Sequence, residues 1–261
     1  MFGLSRMTPV QLIVLLVIGA LIFGMPLLQL ASNPIRFAAI ILGLLVGITI
    51  HEASHATVAV ALGDPTPRLM GRVSLNPLRH LDPIGALCML IASFGWGKPV
   101  IFNPRNLKID PRLGSALVSV AGPLSNVLLA LVAAIVLHLV GRNLGTVGVL
   151  LVQALIAINI ALAAFNLIPI PPLDGFGFVI NLLPKSVGEA VAPLVPYGPL
   201  ILLALIFFGP TLHIDVLGAL MNPIRHAIEV FIDGALAVLL ATCSGARCCH
   251  HRRACATDHP V

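Results

Sequence analysis

The feature that most constrains this chain is a series of long runs of residues that carry almost no charge. A transmembrane helix needs about 20 apolar residues, because each residue adds about 1.5 Å and the hydrocarbon core is about 30 Å thick. Five runs reach that length and a sixth is weaker; they cover residues 10–31, 37–62, 113–140, 144–173, 199–220 and 227–242. The pattern therefore predicts an all-α polytopic membrane protein with about six transmembrane helices.

The composition supports this fold class. Hydrophobic residues make up 58% of the chain and charged residues 10%, whereas a soluble domain has about 25% charged residues. A water-soluble globule would need more surface charge, and a disordered chain would be far less apolar. The net charge is +5, but the basic residues lie in short loops between apolar runs and read as topology signals. We therefore expect the lipid bilayer as surroundings and no nucleic acid as a partner.

The basic loops predict which side of the membrane each one faces. Basic residues precede the run at 10–31, follow the run at 37–62, and follow a short apolar run at 84–96. All three regions can be cytoplasmic only if residues 84–96 enter the bilayer and return, and a helix of that length reaches only about 20 Å. We therefore predict a re-entrant segment there. Together with the arginines near the C-terminus, the pattern predicts a multi-pass protein of the inner (plasma) membrane with both termini cytoplasmic.

Two further segments complete the predicted organisation. Residues 68–75 roughly alternate polar and apolar side chains before Asn76-Pro77, which predicts a short strand or β-hairpin on the cytoplasmic side. The sequence shows no convincing repeat and no long linker, so residues 1–242 are expected to form one domain. Residues 243–261 contain four cysteines and three histidines without zinc-finger spacing. We predict a disordered tail there, with a weak metal clip as the alternative.

The segment His51–His55 carries the strongest chemical signal. His51 and His55 are four positions apart, so both imidazoles project from one helix face, and Glu52 is offset from that face by about 100°. Two such histidines can bind one Zn²⁺, and the glutamate can take a proton from an attacking water. The residue frequencies of this chain predict roughly 0.004 such matches by chance. The alternative is a polar patch satisfied by neighbouring helices, although an ionisable group at that depth costs about 2.5 kcal/mol or more.

Asp174 is the candidate for a third ligand, because a catalytic zinc site usually has three protein ligands. Pro169, Pro171 and Pro172 precede it and cannot continue a helix, so the span is predicted to break into extended chain. Irregular backbone at membrane depth often marks a site. The alternative is a simple cytoplasmic turn, since Asp-Gly is a common turn pair.

These motifs together carry a family resemblance. The segments His51–His55 and Asn166–Gly175 resemble the paired motifs of the site-2 protease family of intramembrane zinc metalloproteases. Ala121–Asn126 is similar to the motif on that family's intervening helix. The segments Leu75–Pro77 and Gly95–Pro99 resemble a compact prokaryotic branch without a PDZ domain. The resemblance covers about residues 36 to 235.

The resemblance implies a zinc metalloendopeptidase that hydrolyses peptide bonds in or near transmembrane segments of membrane-protein substrates. It implies one Zn²⁺ per chain, bound by His51, His55 and Asp174, with Glu52 as the general base. It also implies substrate-binding roles for three residues, which are Asn166, Pro169 and Pro171.

Two questions stay open at the level of sequence. Asn126 is as well suited to a hydrogen bond near the site as to a helix–helix contact. The rival function is a non-proteolytic zinc-binding membrane protein or a metal transporter, although a transporter would want several ionisable groups along a path. The sequence carries no signal for the oligomeric state.

Overall fold

The computed structural model describes residues 32–82, Gly85, 97–211 and 215–254. Within these residues four helical stretches are long and apolar enough to cross a membrane: Pro34–Ala61, Pro111–Asn143, Gly145–Asn166 and Lys185–Ile206. The chain is therefore a mostly helical membrane protein. The predicted first span at 10–31, and the predicted re-entrant segment at 84–96 apart from Gly85, lie outside the described residues.

The helices are numbered here in chain order. The α-helices of the described residues are α1 (Pro34–Ala61), α2 (Thr66–Leu69), α3 (Pro111–Val140), α4 (Gly145–Asn166), α5 (Asp174–Leu182), α6 (Lys185–Val191), α7 (Gly198–Thr211) and α8 (Val216–Ala254). The two long helices that begin on the polar loops share one start signal, a capping side chain followed by proline. Asn33 accepts from the backbone amide of Arg36 at the start of α1, and Asp110 accepts from Arg112 and Leu113 at the start of α3.

The core lies where α3, α4 and α8 meet. Its buried side chains are mostly alanines of α3 and α4, together with one isoleucine of α4, and they pack against two isoleucines of α8. These residues are Ala130, Ala134, Ile160, Ala163, Ala164, Ile228 and Ile232. Small residues allow helices to approach closely, which is how apolar helices gain contact energy in lipid. On the opposite face of α3, Leu124, Leu128 and Val132 are exposed at a spacing of four, as expected for a lipid-facing stripe.

The predicted strand at residues 68–75 is absent. Arg68 and Leu69 instead end the short helix α2, and the chain then turns through Gly71, whose φ is +68°. The buried Arg72 guanidinium holds this turn by donating to the backbone oxygens of Arg79 and Lys98. The β-structure of the described residues is limited to one antiparallel bridge between Leu81 and Gly97. The polar and apolar alternation therefore reflects one buried arginine in a turn rather than a sheet.

The boundary between the last two predicted spans also differs. We predicted spans at 199–220 and 227–242, whereas α7 ends at Thr211 and α8 begins at Val216. Asp215 accounts for the difference, because its carboxylate accepts from the backbone amide of Gly218 and starts α8. Pro223 lies inside α8 without ending it.

The predicted tail begins inside a helix. No proline lies between Pro223 and residue 260, and α8 passes the predicted domain boundary at residue 242 and continues to Ala254. Residues 255–261 and the N-terminal 31 residues lie outside the described part, and so do the predicted positions of both termini.

Asp64 joins two loops at the end of α1. Its side chain is fully buried. The carboxylate accepts from Thr66 N (3.1 Å), Thr66 Oγ1 (2.7 Å), Asn106 Nδ2 (2.8 Å) and Asn103 N (2.6 Å). Burial by itself raises the pKa of Asp64, but the hydrogen bonds from Thr66, Asn106 and Asn103 outweigh burial and hold that pKa below its ordinary value of 3.8. The loop before α3 is thereby fixed to the end of α1.

We expect Asp64→Ala to lower the free energy of unfolding by roughly 2–4 kcal/mol at neutral pH, because it removes a buried carboxylate that accepts four hydrogen bonds from Thr66, Asn103 and Asn106. The folded-state pKa is depressed, so the carboxylate's contribution is complete above 3.8 and is lost as the pH falls through the folded-state pKa. Thermal unfolding of both proteins in detergent, at neutral pH and below pH 3.8, measures this. A difference between them that stays constant on acidification would contradict the interpretation.

Candidate metal centre

Three potential ligands converge between α1 and the start of α5. Asp174 Oδ2 lies 2.9 Å from His51 Nε2 and 3.4 Å from His55 Nε2, and the two Nε2 atoms are 3.1 Å apart. The ligand atoms all lie within 4.8 Å of one another, so the group can hold one metal ion. Each histidine is 7% exposed. His51 lies on α1 ten residues before its last residue, Ala61, which is about 15 Å of helix.

The charge balance of this group fits a cation. Asp174 Oδ2 is buried, and it has no hydrogen-bond partner in the part of the chain that the structure describes. It lies close to both Nε2 atoms without the alignment of a hydrogen bond, so these contacts are short distances around a common point. A buried carboxylate oxygen without a donor is costly, and a metal ion at that point would remove the cost. Two imidazole nitrogens and one carboxylate oxygen are also a ligand set that zinc accepts.

Each imidazole ring is oriented by a hydrogen bond at Nδ1, the nitrogen that faces away from the other ligands. His51 Nδ1 lies 2.6 Å from Asn126 Oδ1, and His55 Nδ1 lies 2.6 Å from the backbone oxygen of Val118. Both partners are acceptors on α3, so each Nδ1 carries the proton and each Nε2 presents a lone pair. Asn126, whose role the sequence left open, therefore contacts the site directly.

The absence of a side chain at Gly122 makes room for the site. Gly122 lies on α3, and a Cβ built there would overlap His55 Nε2 and approach His51 Nε2 to 2.6 Å. The backbone of α3 thus lies against the two atoms that would face a metal. No larger residue fits at this position without moving α1 from α3 or turning the rings.

The turn before Asp174 places its carboxylate. α4 ends at Asn166, as the prolines predicted, but residues 167–173 form tight turns rather than extended chain. The amide of Ile170 donates to Ile168 O and that of Leu173 to Ile170 O. A Cβ on Gly175 would overlap the backbone of Leu167, so glycine allows α5 to begin directly against the end of α4. The compact turn follows because these amides find acceptors locally.

A cavity of 610 Å³ opens beside the ligands. His51 and Glu52 line it from α1, Asn166 lines it from the end of α4, and most of the remaining wall is apolar. Gly97 packs against the Glu52 side chain, since a Cβ on Gly97 would lie 3.1 Å from Glu52 Oε1. Of the predicted substrate-binding residues, Asn166 lines the cavity, whereas Pro169 and Pro171 do not. Pro171 lies against Gly198, the first residue of α7.

Sequence reasoning missed two buried residues near this region. Asn159 of α4 is fully buried and accepts a hydrogen bond from Asn126. An asparagine within an otherwise apolar span was the available signal, because such residues are rare unless they have partners. His80, in the loop after Pro77, is also fully buried, with Nε2 at 2.6 Å from Ser74 O. Its loop folds back on the segment at Gly97, where Lys98 N donates to His80 O.

The fold and the site define a class of protein. A buried pair of histidines and a carboxylate, set among apolar helices beside a cavity that a glutamate lines, is suited to a membrane-embedded metal-dependent hydrolase.

Comparison with known proteins gives the family. YwhC of Bacillus subtilis, named as a zinc metalloprotease, is 38% identical over 196 residues, covering 72% of this chain and 88% of YwhC. Rip2 of Mycobacterium tuberculosis, also named as a zinc metalloprotease, is 30% identical over 180 residues, covering 68% of this chain and 69% of Rip2. The zinc metalloprotease MJ0392 of Methanocaldococcus jannaschii is 28% identical over 161 residues, covering 62% of this chain and 39% of MJ0392. No family model and no solved structure matches. The chain belongs to the zinc metalloprotease family of YwhC.

Proposed function

We propose that this protein is an intramembrane zinc metalloprotease that hydrolyses peptide bonds in or near the transmembrane segments of membrane-protein substrates. The observation that carries the proposal is the convergence of His51, His55 and Asp174 within a bundle of apolar helices, next to a cavity that Glu52 lines. The names of the relatives support zinc and proteolysis. The resemblance to site-2 proteases supports a substrate inside the membrane.

Each site residue has a distinct role in this proposal. His51 and His55 would hold zinc through Nε2, and Asp174 would hold it through a carboxylate oxygen. The chemistry that zinc would supply there is Lewis acidity, toward the scissile carbonyl and toward the attacking water. Glu52 accepts the proton of that water and passes it to the leaving amine. The adjacent positions of Glu52 and His51 on one helix keep the base and the ligand at a fixed separation.

The cavity fits a locally unwound segment of a substrate helix. A helix hides its amides in its own hydrogen bonds, so a transmembrane substrate must unwind before a peptide bond can be attacked. Apolar residues of α1, α4 and α7 form the wall that would contact substrate side chains; they include Leu44, Ile48, Leu162, Phe165, Leu202 and Ile206. Asn166 offers polar atoms from the same wall. We propose that Pro169 and Pro171 act indirectly, by shaping the turn that ends at Asp174.

The proposed membrane location and orientation follow from the distribution of basic residues. The loops at residues 64–82 and 97–110 contain the basic residues that favour the cytoplasmic side. We place the protein in the plasma membrane with those loops in the cytoplasm, so that water reaches the site from that side. The proposed partners are transmembrane protein substrates and the bilayer itself.

Removal of zinc is the experiment that tests this function. Purified protein in proteoliposomes should contain one zinc per chain and cleave a labelled single-span substrate. Dialysis against a strong chelator should stop the cleavage, and stoichiometric zinc should restore it, because the ligand group is the centre of the chemistry. The rival transporter function makes the opposite prediction. Zinc flux into the vesicles with no cleavage of any test helix would favour it over proteolysis.

A further inference from the structure

Two buried asparagine side chains form a hydrogen-bond chain that begins at His51 Nδ1. Asn126 of α3 and Asn159 of α4 are both 0% exposed, in a bundle whose other buried residues are mostly apolar. Asn126 Oδ1 lies 2.6 Å from His51 Nδ1, and Asn126 Nδ2 donates to Asn159 Oδ1 at 2.7 Å. Asn159 Nδ2 in turn donates to Leu155 O at 2.8 Å. The chain thus runs from a metal-facing histidine on α1, through α3, to the backbone of α4.

The acceptors along this hydrogen-bond chain determine which way each asparagine amide is oriented. The Asn126 amide nitrogen has two acceptors, Asn159 Oδ1 and the backbone oxygen of Gly47 at 3.2 Å. Turning this amide by 180° would place its carbonyl oxygen against both of those acceptors, with no donor for either. Asn126 Oδ1 must therefore face His51, and His51 Nδ1 must be the donor. The Asn159 amide is oriented in the same way by Leu155 O.

We propose that Asn126 and Asn159 are positioning residues that hold His51 in the Nδ1–H tautomer, with its Nε2 lone pair directed at the metal point. The inference rests on the proposed zinc site. Neither residue touches the metal point or the proposed substrate cavity, so both act through His51. Asn126 acts directly, and Asn159 acts by preventing the Asn126 amide from turning over. Partners of this kind fix both the tautomer and the orientation of a metal-binding imidazole.

A packing role would leave a different signature. If the two asparagines only joined helices, leucine would replace either of them with little effect on His51, since leucine has the same number and branching of side-chain heavy atoms and is suited to the apolar bundle. In the positioning role, Asn126→Leu removes the acceptor of His51 Nδ1–H. Asn159→Leu keeps that acceptor but frees the Asn126 amide to turn. Asn159→Asp preserves the chain, because a buried carboxylic acid remains neutral, accepts from Asn126 through its carbonyl and donates to Leu155 O through its hydroxyl.

The test measures zinc affinity by competition with a chromogenic chelator, on wild type and the three variants in detergent, with no substrate present. We expect Asn126→Leu to weaken zinc binding by about 10- to 100-fold. Asn159→Leu should weaken it by about 2- to 12-fold, the range of one net hydrogen bond, and Asn159→Asp should stay within about twofold of wild type. The visible spectrum of the cobalt-substituted protein should change in the two leucine variants and not in Asn159→Asp, because it reports ligand geometry.

The outcomes separate this inference from the proposed function. If wild type binds no zinc, the proposed metal site itself fails. If wild type binds zinc, and the leucine variants keep its affinity and its cobalt spectrum, the positioning role is wrong and the asparagines only pack. If a leucine variant fails to fold, Asn159→Ala is compared with Asn159→Asp. Equal zinc affinity in those two variants would also overturn the inference.

Discussion

Glu52→Gln is expected to keep its zinc and to lose about 10²- to 10⁴-fold in the rate of peptide-bond cleavage, which is the usual contribution of a positioned general base. The substitution keeps the shape of the side chain and removes its ability to accept a proton. Zinc should remain because the convergent ligand atoms belong to His51, His55 and Asp174, and Glu52 is not among them. The large effect on rate without an effect on metal content distinguishes a base from a ligand.

The measurement combines zinc content, thermal unfolding and cleavage of a labelled single-span substrate in proteoliposomes. Glu189→Gln is the matched control, because Glu189 is an exposed glutamate on α6 that does not line the site cavity. It should cleave at the wild-type rate. In cells, membrane proteomics of the Glu52→Gln strain should show single-span proteins that accumulate relative to wild type. Wild-type cleavage by purified Glu52→Gln would remove Glu52 from the proposed mechanism.

The three residues that converge at the candidate metal centre were predictable from sequence, for two physical reasons. His51 and His55 share a helix face because of the helical repeat, so their spacing alone indicates that both rings can reach one point. Asp174 was predictable because prolines end a span immediately before it. Its distance from the rings was not predictable from these local rules, since it depends on how α1 and α4 pack. The structure supplies that contact at 2.9 Å.

The parts that sequence reasoning missed depend on contacts between distant segments. Arg72 and Asp64 both hold loops through hydrogen bonds to residues 26 to 42 positions away, and no local pattern reports such partners. The alternation at 68–75 therefore suggested a strand that does not form. Asn159 gave a compositional signal, but its partner on α3 is 33 positions away. Runs of apolar residues predict the positions of α1, α3 and α4, because a span in lipid must be apolar and must pair its own backbone groups, whereas the polar loops follow tertiary contacts.

The space at Gly122 gives the second large prediction. A Cβ at this position would overlap His55 Nε2 and lie 2.6 Å from His51 Nε2. A zinc–nitrogen bond is about 2.0–2.1 Å, so the added methyl group would occupy the region where the ion and its ligands must meet. We expect Gly122→Ala to weaken zinc binding by more than about 100-fold. This exceeds the loss that is typical when a metal ligand loses its hydrogen-bond partner. Cleavage should fall with the zinc content.

Gly234→Ala is the matched control, because Gly234 lies in α8 and a Cβ there would meet no atom within 4 Å. Alanine is the better helix former by about 1 kcal/mol, so this control should be as stable as wild type or slightly more stable, with unchanged zinc affinity. Chelator competition and thermal unfolding measure both properties. Helix propensity alone would predict the same gain at Gly122. A Gly122→Ala protein that gained stability and kept wild-type zinc affinity would mean that zinc binding does not depend on the open space at Gly122.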